Sequence, residues 1–177
     1  MTEQAERFRI HAHLTRTKWL HIEDALDIGK IRLFAGDYKK GKGAKTLAVH
    51  YLDVADARVL FNDLAWGKPV NYIEFKGTSN NGQPTSRVLK VRTNTDKVWV
   101  RLENGPGEVI GQGAVKPKGE PEAVVNVPLT TWEARRLAFA VLAHLDAWVV
   151  ITFKQRTSGS GSTPAPLLGT KRAKAKS

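Results

Sequence analysis

The chain contains no cysteine and one methionine in 177 residues. Without thiols it can build no disulfide framework, no thiolate zinc site and no cysteine nucleophile, and it fits a reducing compartment. Acidic groups are scarce, 17 Asp and Glu against 28 Lys and Arg, which leaves a formal charge of +11. No uninterrupted apolar run approaches the ~18 residues of a membrane helix, and the polar opening Met1-Thr-Glu-Gln is unlike a secretory leader. The expectation is a soluble, cytoplasmic protein with no membrane role. A Ser-centred nucleophile elbow, a dinucleotide fingerprint and a Walker motif are also missing, so neither catalysis nor a cofactor is expected.

What is there is a hydrophobic fraction of 41%, enough for a core, under an excess of positive charge that suits polyanionic partners, nucleic acid foremost. The charge is not confined to one end. Residues 155–177 hold Arg156, Lys171, Arg172, Lys174 and Lys176 without an acid, yet residues 1–154 keep 23 basic against 17 acidic groups, or +6. Residues 1–154 read as a single compact domain. Residues 155–177, rich in Gly, Ser and Pro, read as a flexible tail with a basic tip, because such a segment buries too little to offset its ordering entropy.

The domain carries an internal repetition. Leu52-Asp-Val-Ala-Asp-Ala-Arg-Val-Leu60 matches Leu129-Thr-Thr-Trp-Glu-Ala-Arg-Arg-Leu137 at an offset of 77. Trp19-Leu-His-Ile-Glu23 matches Trp99-Val-Arg-Leu-Glu103 at 80, and Ile73-Glu-Phe-Lys76 matches Ile151-Thr-Phe-Lys154 at 78. Three blocks in one order predict two tandem copies, about 7–76 and 86–154. Asp53 and the capping box Thr130-Thr-Trp-Glu133 each open a helix. The apolar stripes are Val54, Ala57, Leu60, Phe61 and Leu64 in the first, and Ala134, Leu137, Val141, Leu145 and Trp148 in the second. Gly67 ends the first helix.

Alternating segments predict strands, with Phe8, Ile10, Ala12 and Leu14, then Leu20 and Ile22, then Ile31 and Leu33 turned to the core. Further strands are expected over 45–51, 70–76, 87–93, 97–103, 108–115 and 122–127, with the joint between copies at 78–84. Each unit is then four antiparallel strands, a helix and a trailing strand at Val70–Lys76 or Trp148–Lys154, an α+β fold with helices on the inner sheet faces. The opposite face would carry Arg7, Arg9, Lys30, Arg32, Lys97 and Arg101, with Trp19, His21, Phe34 and Trp99 among them. Aromatic rings stack on bases and cations neutralise phosphates, so these residues form the candidate nucleic-acid surface. The hairpin Lys39-Lys40-Gly-Lys42-Gly-Ala-Lys45 adds a basic loop. Two alternatives are weaker. His11-Ala-His13 lacks an assured third metal ligand, and Glu23, Asp24 and Asp27 form an acidic knot near a turn.

A duplicated unit of four strands and a helix with a basic open sheet resembles the Whirly and positive-cofactor-four superfamily of single-stranded DNA binders. Lys40-Gly-Lys-Gly-Ala-Lys-Thr-Leu47 is similar, with one extra residue, to the Lys-Gly-Lys-Ala-Ala-Leu signature of Whirly proteins. The resemblance implies two units sharing a helical core, sequence-tolerant binding of single-stranded DNA or RNA along sheet and loops, and a homo-oligomer. The alternative function is an assembly subunit whose basic face docks RNA or a protein partner within a larger nucleoprotein complex.

Overall fold

The computed structural model describes residues 7–39, 41–80, 82–111 and 114–158. The elements run β1 (Arg9–Leu14), β2 (Lys18–Ala25), β3 (Lys30–Lys39), β4 (Gly43–Asp53), α1 (Val54–Ala65), β5 (Asn71–Asn80), β6 (Gln83–Asn94), β7 (Lys97–Ile110), β8 (Ala114–Pro117), β9 (Ala123–Thr130) and α2 (Thr131–Thr157). Strands β1 to β4 form one antiparallel meander. The second sheet runs β5-β6-β7; long β7 then pairs with β9 along its first half and with β8 along its second. The architecture is α+β, with antiparallel sheets of four and five strands, each followed directly by a helix.

Both helices start where their capping residues stand, but by different means. Thr130 Oγ1 accepts from the Glu133 amide at 3.2 Å, and Glu133 Oε2 accepts from the Thr130 amide at 2.8 Å. Asp53 occupies the equivalent position without capping, because its carboxylate is engaged by Lys30 and Lys76. The left-handed Gly67 (φ 67°) closes α1 by donating to the Leu64 carbonyl.

Helices α1 and α2 run antiparallel, tied at one end by Arg58 to Asp146 (2.8 Å) and at the other by Arg135 to the Ala65 carbonyl (3.0 Å). Their apolar stripes meet the inner faces of both sheets in one core that includes Leu20, Leu33, Phe61, Val91, Leu102 and Leu145. At the junction of the sheets, Asn104 of β7 accepts from the Val49 amide and donates to the Val49 carbonyl, completing the edge of β4 with a side chain.

Three expectations are corrected. Trp148–Lys154 is not a trailing strand: Leu145, Trp148 and Thr152 continue the helical spacing of α2 with no breaker between, and helical periodicity overrides the β-branched run Val149-Val-Ile-Thr152. Val70–Lys76 does not trail the first sheet; Asn71–Asn80 opens the second, so 78–84 is the β5–β6 hairpin and the joint falls at Gly67–Val70. The segment 108–115 is the end of β7, a turn at Gly111 and the start of β8.

From His11 onward the faces of β1 are also inverted, while Ile10 packs against the core as expected. The strand register slips between Arg9, opposite Glu23, and His11, opposite Ile22, and a one-residue slip exchanges the faces. His11 and His13 therefore stand on the core side and Ala12 and Leu14 on the outer one, while Phe8, before the slip, is exposed and stacked on His144 of α2 at 5.5 Å. His13 Nε2 donates to the Pro128 carbonyl at 3.1 Å, a structural use.

Fully buried His50 donates from Nε2 to Glu74 at 2.6 Å, and burial holds its pKa below the ordinary imidazole value against the pull of that carboxylate. His11 and His21 are lowered in the same way, by burial first and then by Arg136 and Arg9 respectively. For such groups the unfolded chain binds more protons in acid, so their contribution is intact above ~6.5 and is lost as pH falls below it. The melting temperature is expected to drop between pH 7.5 and 5.5; a flat or rising profile would contradict these assignments.

Candidate nucleic-acid interface

Since the inner faces share the core, each sheet has one outer face, and the two differ in chemistry. On the first sheet, cross-strand pairing places Trp19 opposite Gly36, His21 opposite Phe34 and Glu23 opposite Arg32. The Trp19 ring lies directly over Gly36, where a Cβ would come within 2.7 Å of it. It also meets Phe34 edge-on at 4.7 Å and His21 at 4.4 Å, and is half-buried. Arg32 is buried between Glu23, with which it is ion-paired, and the Phe34 ring at 4.3 Å. This face is largely closed on itself.

The remaining first-sheet candidates are scattered. Arg9 is exposed on the outer face, but Arg7 lies at the sheet edge, held by Asp27 (2.9 Å) and the Asp24 carbonyl. Lys30 is paired with Asp53. Lys39, Lys42 and Lys45 are exposed on the β3–β4 hairpin; Lys40 lies outside the described residues, as does the tail beyond Ser158.

The second sheet presents a different surface. One row across it reads Asn71, Arg92, Trp99, Pro128, and the next Ile73, Lys90, Arg101, Asn126. Lys90, Arg92, Asn94, Trp99, Arg101 and Asn126 line one shallow open depression. Ile73 and Phe75 stand exposed on the same face, Phe75 at 58%. Glu103 is the acid on this face, receiving Arg101 at 2.5 Å and Lys90 at 2.7 Å. Burial would raise its pKa, but those two hydrogen bonds outweigh it and hold the carboxyl below its usual range. Arg92 and Lys97 are exposed and make no ion pair among the described residues. At the far end of the face, Val115 of β8 fills a notch opened by Gly77 and Gly107, at both of which a Cβ would sit 2.4 Å from it. Strand β8 thus bounds the surface on that side.

Trp19 and Trp99 both point outward, as expected, but they are not equivalent: Trp19 is in the second strand of its sheet and Trp99 in the third of the other. Residues 73–76 and 151–154 are strand and helix respectively. Lys90, Arg92 and Asn126 were missed as site residues, although Lys90 and Arg92 alternate with core residues Leu89 and Val91 and so were readable as outer-face cations.

Asp53, Asp56 and Glu74 bring carboxylate oxygens within 4.8 Å of one another. Lys30 and Lys76 already engage Asp53, and His50 and Lys76 engage Glu74, so positive charge stands where a cation would bind.

If Trp19 is a packing element, Gly36→Ala should cost about 1–3 kcal/mol of stability by displacing its ring. Chemical denaturation measures this; unchanged stability would show that the ring moves aside freely. Comparison of the chain with protein-family models and with curated protein sequences gives no match.

Proposed function

We propose that this protein binds single-stranded nucleic acid with little sequence preference, using the outer face of the second sheet. The observation that carries this reading is Trp99 set among Lys90, Arg92 and Arg101 in an open depression, with exposed Phe75 and Ile73 beside it. A half-exposed indole ringed by cations suits an unpaired base stacked on its π-face with its phosphate neutralised alongside. Stacking on an indole needs a base free of its pairing partner, which favours single strands. DNA is the preferred form and RNA the alternative.

The order sheet, helix, sheet, helix over one core supports a Whirly-like arrangement of two units, with β1 to β4 corresponding to β5, β6, β7 and β9. The short stretch Asn126–Thr130 before α2 and Thr46–Asp53 before α1 then occupy equivalent places. No step of this function needs a catalytic group.

The test separates the two tryptophans. Trp99→Ala should weaken binding of a labelled oligonucleotide by about 1–3 kcal/mol with the melting temperature nearly unchanged. Trp19→Ala should do the reverse, lowering stability and sparing affinity in the folded fraction. Equal losses of affinity for both would contradict an interface on the second sheet.

Glu103 offers a gain of function. Glu103→Gln keeps the shape but releases Lys90 and Arg101, so affinity should rise and the dependence of log affinity on log salt should steepen by ~0.7 for each further phosphate neutralised. A weaker or unchanged salt slope would mean these cations do not reach the backbone.

A further inference from the structure

Helix α2 has a second stripe that the described residues leave exposed, with Arg58 of α1 reaching only its Asp146 carboxylate. Trp132, Arg136, Phe139, Ala143, Asp146, Val150 and Phe153 are all exposed, separated alternately by four and three residues. That is the 3.5-residue repeat of a helix packing lengthwise on another helix. Its bulky members are open to solvent: Trp132 at 67%, Phe139 at 53%, Val150 at 75% and Phe153 at 57%. The opposite stripe of α2, from Ala134 to Leu145, is spent in the core.

We propose that this stripe is the interface with a second copy of the chain, the two α2 helices packing antiparallel about a two-fold axis at the level of Val141. The stripe is complementary to itself in that one register. Arg136 and Asp146 lie five residues either side of Val141, so the symmetric pairing sets Arg136 against the partner's Asp146 twice. Phe139 and Ala143 lie two residues either side, which places a ring on a methyl, and Trp132 and Val150 lie nine either side. A parallel pairing would instead oppose Arg136 to its own copy, Asp146 to its own copy and ring to ring. By length and composition α2 could also cross a bilayer. A lipid surface, however, would have to receive Arg136 and Asp146 in the middle of the stripe, and the core would have to release the other face. The pairing leaves the outer sheet faces free and does not depend on what they bind.

Sedimentation equilibrium of the full chain without nucleic acid tests the proposal. The expected species is a dimer, twice the 19.6 kDa chain. Arg136→Asp and Asp146→Arg should each weaken it about tenfold or more, by placing like charges opposite, and the double exchange should restore it. Phe139→Asp should give a monomer with its circular dichroism intact. Because the chain has no native cysteine, mixing Phe139→Cys with Ala143→Cys chains should give a disulfide between the two kinds in preference to either alone. A wild-type monomer at every concentration, a dimer untouched by the charge variants, no rescue by the double exchange, or a preference for 139–139 cross-links would each overturn the pairing. So would co-sedimentation with phosphatidylcholine and phosphatidylglycerol vesicles in place of self-association.

Discussion

Two antiparallel helices cover the inner faces of two sheets at once, and the other features follow from that shared burial. The inner faces of both sheets line one shared core, so neither half buries its apolar face alone. Leu20 and Leu33 from the first sheet and Val91 and Leu102 from the second belong to one core with the helical residues Phe61 and Leu145. With the inner faces committed, the outer faces are left to water, and whatever lies there must be satisfied by its neighbours or by a partner.

The two outer faces solve that problem in opposite ways. On the first, Glu23 neutralises Arg32 in a buried pair, and Gly36 makes room for the Trp19 ring to lie flat against the strand. On the second, one carboxylate, Glu103, is shared by Lys90 and Arg101, while Arg92 and Lys97 add charge and Trp99 opens onto a depression. The difference is one of charge balance and of which aromatic has a glycine opposite it. Trp99 faces Arg92 and Pro128, which cannot take a ring over their backbone as Gly36 does.

Much of this was legible in the sequence. The helix starts at Asp53 and Thr130, both apolar stripes, the basic β3–β4 hairpin and the outward direction of Trp19 and Trp99 follow from capping chemistry, turn residues and periods of 3.6 and 2. The failures have physical causes. A β-bulge in β1 exchanged the faces of His11 and Leu14, and alternation carries no mark of a slipped register. Val149-Val-Ile-Thr152 has strand propensity but continues a helix already held by the core. Trp19 against Trp99 is a likeness of short amphipathic strands, and only pairing shows that they occupy different places in their sheets. The neutralisation of Arg32 by Glu23 depends on cross-strand register, which local sequence does not state.

On the proposed function, the outer face of the second sheet is the nucleic-acid platform. Photo-cross-linking of a bromodeoxyuridine-substituted single strand, with the modified residues identified by mass spectrometry, tests it most directly. Cross-links are expected on Trp99 and Phe75 and should vanish at high salt. Cross-links on Trp19 and Phe34, or none on either sheet, would contradict that reading.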